Sequence, residues 1–153
     1  MSPEQALPTF DLPTSGEGHI SNDDLIGRHT VLYFYPKDDT PGCTVEGREF
    51  TELYPQFQEH AVSVFGVSPD SARSHEKFIS KCSLTVPLVS DPDHVLIGAL
   101  GLWVEKKFMG RTYMGVQRST FLIGPDGTIV KEWRSVKAPG HAAEVLDAVA
   151  GGA

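Results

Sequence analysis

The chain has 153 residues, a length that suits one domain, and no composition shift or internal repeat marks a second. Hydrophobic residues make up 40% and charged residues 22%, the balance of a folded soluble protein rather than a disordered one. The net charge of -7 argues against nucleic acid or anionic membrane as partners, because both need clustered Lys and Arg. The N-terminus MSPEQALPTFDLP has no signal-peptide pattern, and no segment has the roughly 18 apolar residues of a membrane span. We therefore expect a single domain over residues 1–153, located in the cytoplasm.

The first half of the chain predicts a strand, a helix and a second strand. TVLYFY at residues 30–35 is an apolar run typical of a strand buried on both faces. A helix beginning near Cys43 is predicted from an apolar stripe at Phe50, Leu53, Tyr54 and Phe57. Within it, Pro55 predicts a kink or a break. VSVFGV at residues 62–67 predicts the next strand, and this order favours parallel pairing in an α/β fold.

The second half predicts further elements of the same α/β type. Asp70 or Ser71 can cap a helix that runs to about Lys81, and TVPLVSD at residues 85–91 resembles a strand. The other predicted elements are a hairpin of strands 119–123 and 128–133 around the turn GPDG, and a C-terminal helix at roughly 140–150.

Cys43 and Cys82 are the only cysteines, and in a reducing compartment so sparse a pair suggests redox chemistry rather than a structural disulfide. Cys43 falls in the first turn of its predicted helix. Free backbone N–H groups and the positive end of the helix dipole there favour a thiolate. The helix follows a buried strand, which places Cys43 at the sheet edge where α/β folds concentrate their sites. The alternative is that Cys43 is a small buried hydrophobic residue.

The residues around Cys43 carry a more specific pattern. Pro36, Thr40 and Cys43 form P-x-x-x-T-x-x-C within FYPKDDTPGCTVEGREF. This stretch, together with LPTFDLP and EKKFMGRTYMGVQRSTFLIGPDG, resembles the peroxiredoxins, and among them the bacterioferritin-comigratory-protein or PrxQ subfamily. The resemblance covers nearly the whole chain. It implies a thioredoxin-like α/β fold with a central mixed sheet flanked by helices, and an antioxidant thiol peroxidase, an oxidoreductase of cell redox homeostasis.

The resemblance also implies a role for each site residue. The Cys43 thiolate would attack the terminal peroxide oxygen and become a sulfenic acid. Thr40 would hold the peroxide, Pro36 would shield the site, and Arg118 would supply positive charge. Thr40 could instead be a turn residue, and Arg118 a surface arginine at a strand start. We expect Glu46, one helical turn after Cys43, to pair with and orient Arg118, although it would also suit the first turn simply as an acidic residue.

The second cysteine departs from a common pattern of this subfamily. Many members carry a resolving cysteine five residues after the reactive one, where this chain has Arg48, so a disulfide within that helix is excluded. Some relatives place it near Cys82, so a Cys43–Cys82 disulfide reopened by thioredoxin or a similar dithiol is the leading interpretation. Alternatively, Cys82 continues the apolar stripe of Phe78 and Ile79 as a core residue, and the protein is a one-cysteine peroxidase.

A Cys43–Cys82 disulfide would require part of a helix to unwind. Disulfide geometry needs Cα atoms about 4.4–6.8 Å apart, and two helix-borne cysteines in different environments can meet only if one end opens. Gly47 inside the helix, with Pro55 further on, would make this easier. The hypothesis predicts that G47A resolves its sulfenic acid more slowly.

Other functions fit the sequence less well. A thioredoxin-type oxidoreductase needs C-x-x-C, and Glu46 occupies the position three after Cys43. We expect no cofactor and no metal, because the histidines are scattered and better suited to solvated or capping roles; they are His19, His29, His60, His75, His94 and His141.

Two alternatives to a peroxidase remain open. A peroxide sensor would use the same two cysteines to signal to a partner. A holdase would need an exposed apolar surface, for which no segment is evident. Four apolar residues could line a peroxide entrance or simply pack: Leu102, Trp103, Phe108 and Met109. The leading expectation is a monomeric peroxidase for hydrogen peroxide and small organic hydroperoxides.

Overall fold

A computed structural model describes residues 6–15 and 18–152, with side chains to residue 150. In chain order the elements are β1 (Asp11–Thr14), β2 (Gly18–Ser21), a 3-10 turn (Asn22–Leu25), β3 (His29–Phe34), α1 (Pro41–Glu59), β4 (Val62–Ser68), α2 (Ala72–Cys82), β5 (Leu88–Ser90), α3 (Val95–Ala99), β6 (Trp103–Phe108), β7 (Arg111–Val116), β8 (Ser119–Ile123), β9 (Ile129–Trp133) and α4 (His141–Gly152). This is the predicted α/β class.

Seven of these strands form one mixed sheet in the order β2-β1-β5-β4-β3-β8-β9. The strands β3, β4 and β5 run parallel, with Leu32 opposite Phe65, as the strand–helix–strand order predicts. The predicted hairpin is the antiparallel pair β8–β9, and β8 also lies antiparallel to β3. The remaining two strands, β6 and β7, pair only with each other in the described part of the chain and form a separate hairpin.

The interior strand β3 contributes side chains to two core clusters, one on each face of the sheet. Val31 and Tyr33 face a cluster built with α1, α2 and α4, whereas Leu32 and Phe34 face a cluster on the other side of the sheet that includes α3. Successive side chains of a strand point to opposite faces, so a run that is apolar throughout needs cover on both sides. The helices that carry both cysteines therefore pack on one face of the sheet.

Three local features differ from the sequence-based prediction. Helix α1 continues through Pro55, so the predicted break does not occur; Phe50 and Phe57 on either side of it are fully buried in one cluster and hold both parts to the same core. Ser71 rather than Asp70 caps α2, accepting a hydrogen bond from the Ser74 backbone at 3.1 Å. The predicted strand over residues 85–91 shortens to β5.

Candidate active site

The site begins where β3 ends. The loop of residues 35–40 leads from β3 into α1, whose first residue is Pro41, and Thr40 occupies the N-cap position. Proline suits the first helical position because the N–H it lacks would have had no partner there. Cys43 is the third residue of the helix and is only 2% exposed. Its sulfur therefore lies in the first turn, close to the positive end of the helix dipole.

Arg118 joins Cys43 to Glu46. It immediately precedes β8, whose Ser119 lies opposite the last residue of β3. Its Nη2 donates a hydrogen bond to Cys43 Sγ at 3.2 Å, and its Nη1 donates to Glu46 Oε1 at 2.5 Å. A cation that donates to sulfur stabilises the anionic form of that sulfur. The expected pairing of Glu46 with Arg118 is thus present in the geometry.

Gly42 makes room for the guanidinium group. A Cβ added at Gly42 would lie 3.0 Å from Nη2 of Arg118, closer than ordinary van der Waals contact. The guanidinium therefore packs directly on the backbone of the helix's first turn. Sequence reasoning assigned Gly42 no such role, because the close approach comes from a residue 76 positions later in the chain.

Glu46 is buried to an unusual degree for a carboxylate. Its side chain is 0% exposed, and Oε2 has no hydrogen-bond partner among the described residues. Burial raises the pKa of Glu46 from its ordinary 4.5 to about 7, even though the charge and hydrogen bond of Arg118 act in the opposite direction. The charge of Glu49 also raises the pKa of Glu46. Glu46 therefore changes its charge near neutral pH.

Thr40 and Pro36 lie on the outer side of this cluster. Thr40 Oγ1 donates a hydrogen bond to the Lys37 carbonyl oxygen at 2.9 Å, which leaves its oxygen free to accept one. Pro36 and Arg118 line a surface pocket of about 360 Å³ together with Lys106 from β6. The pKa of Lys106 is lowered by burial and by Arg118, with Cys43 acting in the opposite direction. Lys106 stands within the segment EKKFMGRTYMG, where sequence reasoning gave it no function.

Tyr33 and Phe50 form the floor beneath the site. Their rings stack at 4.3 Å with 7° between the planes, and both are almost fully buried. Burial raises the pKa of Tyr33, and the neighbouring Glu46 and Cys43 raise it further. The reactive cluster thus rests on a dry aromatic layer, in which charges interact more strongly than in water.

Cys82 lies on the neighbouring helix and does not contact this cluster through any described hydrogen bond. It is the last residue of α2, 8% exposed, and belongs to the same core cluster as Cys43 and Phe78. Both thiols are free.

The remaining sequence-based candidates divide into buried and exposed groups. His75 and His141 are 0% and 3% exposed, which corrects the expectation that the histidines are solvated or capping. No group of three metal-ligating side chains occurs among the described residues. Leu102 packs in the core, whereas Phe108 and Met109 are exposed on the β6–β7 hairpin. None of the helices described has the length and apolar character that crossing a bilayer requires.

Known proteins resemble this chain over most of its length. The model of the AhpC/TSA family matches residues 3–132. A Peroxiredoxin Bcp of Xanthomonas campestris is 45% identical over 148 residues, covering 95% of this chain and 92% of its own. The Peroxiredoxin Bcp of Bacillus subtilis is 44% identical over 142 residues, covering 93% and 90%.

Solved structures agree with the sequence relatives. A cysteine-to-serine mutant of Xanthomonas campestris Peroxiredoxin Q superposes with a TM-score of 0.89 at 43% identity, over 94% of this chain and 92% of the other. The bacterioferritin comigratory protein of the same organism, studied for alkyl peroxide reduction, gives 0.87 at 42% identity, over 92% and 90%. The fold is therefore that of thioredoxin-like thiol peroxidases. The chain belongs to the AhpC/TSA family and is a peroxiredoxin, an oxidoreductase that reduces peroxides at the expense of thiols.

Proposed function

We propose that Cys43 is the nucleophile of this peroxidase and that its substrates are hydrogen peroxide and organic hydroperoxides. The observation that carries the proposal is the position of the Arg118 guanidinium, which donates one hydrogen bond to Cys43 Sγ and another to Glu46 Oε1 in the first turns of α1. The thiolate attacks the terminal peroxide oxygen, forming an S–O bond as the O–O bond breaks. The products are a Cys43 sulfenic acid and, once the leaving oxygen takes a proton, water or an alcohol. A relative studied for alkyl peroxide reduction supports the substrate class.

Three neighbours prepare the site for that reaction. Arg118 stabilises the thiolate and the negative charge that develops on the leaving oxygen. Thr40 accepts a hydrogen bond from the peroxide O–H, for which its free lone pairs suit it. Pro36, half-buried on the rim of the pocket beside Arg118, limits the access of water. Each role depends on geometry fixed by the loop between β3 and α1.

Glu46 acts on the reaction through Arg118. Its bond to Nη1 fixes the guanidinium so that Nη2 points at Cys43 Sγ. An arginine with two donors engaged in one plane has less freedom to leave the sulfur. This arrangement is energetically unfavourable for the carboxylate itself, because Glu46 is buried and its Oε2 has no hydrogen-bond partner among the described residues.

We further propose that Cys82 resolves the sulfenic acid. Its thiolate would attack Cys43 sulfur, forming a disulfide and releasing water, and thioredoxin or a similar dithiol would then reduce the disulfide by thiol exchange. Both cysteines are buried in one core cluster on neighbouring helices, and we infer that the end of α2 or the start of α1 unwinds to bring the two sulfurs together. If Cys82 is only a core residue, the enzyme resolves directly with an external thiol; if turnover fails, the pair serves as a peroxide sensor.

We further propose that the enzyme is a single-domain monomer of the cytoplasm. The chain has only two cysteines, and so sparse a set suits a reducing compartment. The net charge of -7 opposes self-association.

The test is intact mass and disulfide mapping after one equivalent of hydrogen peroxide, for wild type, C43S and C82S, with thioredoxin-dependent turnover followed in parallel. We expect a Cys43–Cys82 disulfide in wild type, a stalled sulfenic acid without turnover in C82S, and no reaction in C43S. Normal turnover by C82S would show that Cys82 is structural. Oxidation of C43S at the wild-type rate would refute the assignment of Cys43.

A further inference from the structure

A second polar cluster lies behind the active-site loop, centred on the Asp38 carboxylate. Asp38 is 6% exposed. Its Oδ1 accepts a hydrogen bond from the Tyr35 hydroxyl at 2.6 Å, and its Oδ2 accepts from the Ser74 hydroxyl at 2.8 Å. His75 Nδ1 lies 2.8 Å from the same Oδ2. The Asp38 backbone N–H donates to the Asp70 carboxylate at 2.8 Å. A loop residue is thus held by four contacts.

His75 is held at both ring nitrogens. The side chain is completely buried; Nδ1 lies 2.8 Å from Asp38 Oδ2 and 3.4 Å from the Tyr35 hydroxyl, and Nε2 lies 2.9 Å from the Val89 carbonyl oxygen. Polar contacts in the interior are screened less by water than exposed ones. The ring therefore ties α2 to the loop that contains Asp38.

The pair connects two parts of the chain that the proposed reaction uses. Asp38 lies between Pro36 and Thr40 in the loop that leads to Cys43. His75 lies in α2, the helix that ends at Cys82. A second, exposed link joins the same two segments, since Lys81 Nζ bonds the Asp39 carboxylate at 2.7 Å. That link is the weaker of the two, because water screens an exposed ion pair.

We propose that Asp38 and His75 are positioning residues that lock the loop of residues 36–40 onto α2, an inference that rests on the proposed function. While the contacts of Asp38 with α2 are intact, Thr40 and Cys43 keep the positions in which Arg118 donates a hydrogen bond to the Cys43 sulfur. The lock opposes the unwinding that Cys43 and Cys82 need in order to meet. Its strength therefore sets how long the sulfenic acid stays in the folded site. A second peroxide can convert it there to sulfinic acid before Cys82 arrives.

The decisive test compares D38N and H75Q with two controls. D38N removes the carboxylate charge at nearly constant shape, and H75Q removes the ring contact to Asp38. K81Q breaks only the exposed link beside Cys82. I97A truncates a fully buried side chain of the cluster on the other face of the sheet, and so it destabilises the fold without touching the lock.

The measurements are the rate of Cys43 oxidation by hydrogen peroxide, the rate of disulfide formation, and the sulfinic acid formed per turnover by intact mass. In D38N and H75Q we expect oxidation to slow by about tenfold, disulfide formation to quicken by about tenfold, and sulfinic acid per turnover to fall in proportion. K81Q and I97A should stay within about twofold of wild type. A partition between disulfide and sulfinic acid that is unchanged in both lock variants, or changed equally in I97A, would overturn the proposal.

Hydrogen exchange on the wild-type protein gives a second test that needs no variant to fold. The Asp38 amide, which donates to Asp70, and the amides of α2 should lose protection together when the disulfide form is compared with the dithiol form. Retained protection in the disulfide form would refute the lock. If wild type forms no Cys43–Cys82 disulfide, the resolving role of Cys82 has failed. The positioning role of Asp38 and His75 is then tested by the rate of Cys43 oxidation alone. This rate should still fall in D38N and H75Q, and wild-type rates in both variants would refute the role.

Discussion

Replacing Glu46 with glutamine should make the protein more stable at neutral pH while making it a poorer enzyme. Burial raises the pKa of this carboxyl group from 4.5 to about 7 in the folded protein. The difference is about 2.5 pKa units, which at 1.36 kcal/mol each corresponds to about 3 kcal/mol. Between these two pH values the folded protein binds the proton and the unfolded chain does not. The contribution of Glu46 to wild-type stability therefore falls as pH rises from 4.5 to 7, and E46Q lacks this loss.

The assay is urea unfolding of the reduced proteins, followed by tryptophan fluorescence, at several pH values from 4.5 to 8. The free energy of unfolding of E46Q minus that of wild type should increase by about 3 kcal/mol across this range and then level off. E52Q is the matched control, because Glu52 is an exposed carboxylate of the same helix, and its difference from wild type should show no such rise. A flat difference for E46Q would refute the reasoning, since it would mean that Arg118 fully offsets the cost of burial.

Activity should change in the opposite direction. Glutamine can still accept a hydrogen bond from Nη1 of Arg118, but it no longer holds the guanidinium by charge. We expect the rate constant for peroxide reduction at pH 8 to fall by about tenfold in E46Q and to stay at the wild-type value in E52Q. An E46Q enzyme of full activity would show that Arg118 needs no ionised partner.

Three further substitutions test the geometry around Cys43 and α1. G42A places a methyl group 3.0 Å from Nη2 of Arg118, so peroxide reduction should slow by about tenfold in stopped-flow measurements; an unchanged rate would mean that the guanidinium shifts freely. R118K keeps the charge but lacks the two separate nitrogens that donate to Cys43 and to Glu46, so the same rate should fall by about 100-fold, and a loss below tenfold would show that charge alone suffices. G47A makes ordinary contact with Leu84 at 3.4 Å and should stabilise α1 by about 1 kcal/mol. Disulfide formation should slow with it, and an unchanged resolution rate would contradict unwinding of α1.

Sequence patterns predicted the elements that are buried along one face or on both faces. The apolar run of β3 and the helical stripe through Phe50 and Phe57 gave strong periodic signals, and the structure has both elements. The β6–β7 hairpin gave no such signal, because most of its side chains are exposed and nothing in WVEKKF alternates between buried and exposed positions. The predicted break at Pro55 was wrong for a related reason: the tertiary contacts that hold the helix together are absent from a local pattern.

The active-site cluster shows the same limit at the level of single residues. The position of Cys43 in a first helical turn follows from local spacing. Its contact with Arg118 does not, because 75 residues separate the two, and only the family resemblance suggested it. No sequence pattern predicted that His75 is buried and contacts Asp38. Its buried contacts depend on Asp38 in the loop after β3 and on the Val89 carbonyl oxygen in β5, which the fold brings together.

The two buried carboxylates of this face act in opposite ways on the proposed resolution step. Asp38 has hydrogen bonds on both oxygens, so opening the loop breaks contacts and is opposed. Glu46 leaves Oε2 unpaired, so unwinding the first turns of α1 would expose an ionised carboxylate to water and recover much of the roughly 3 kcal/mol that its burial costs above pH 7. The carboxylate that orients Arg118 for attack on peroxide therefore also favours the opening that follows, and the Asp38–His75 pair delays it. The balance between these groups sets the time available for sulfenic acid to react with a second peroxide.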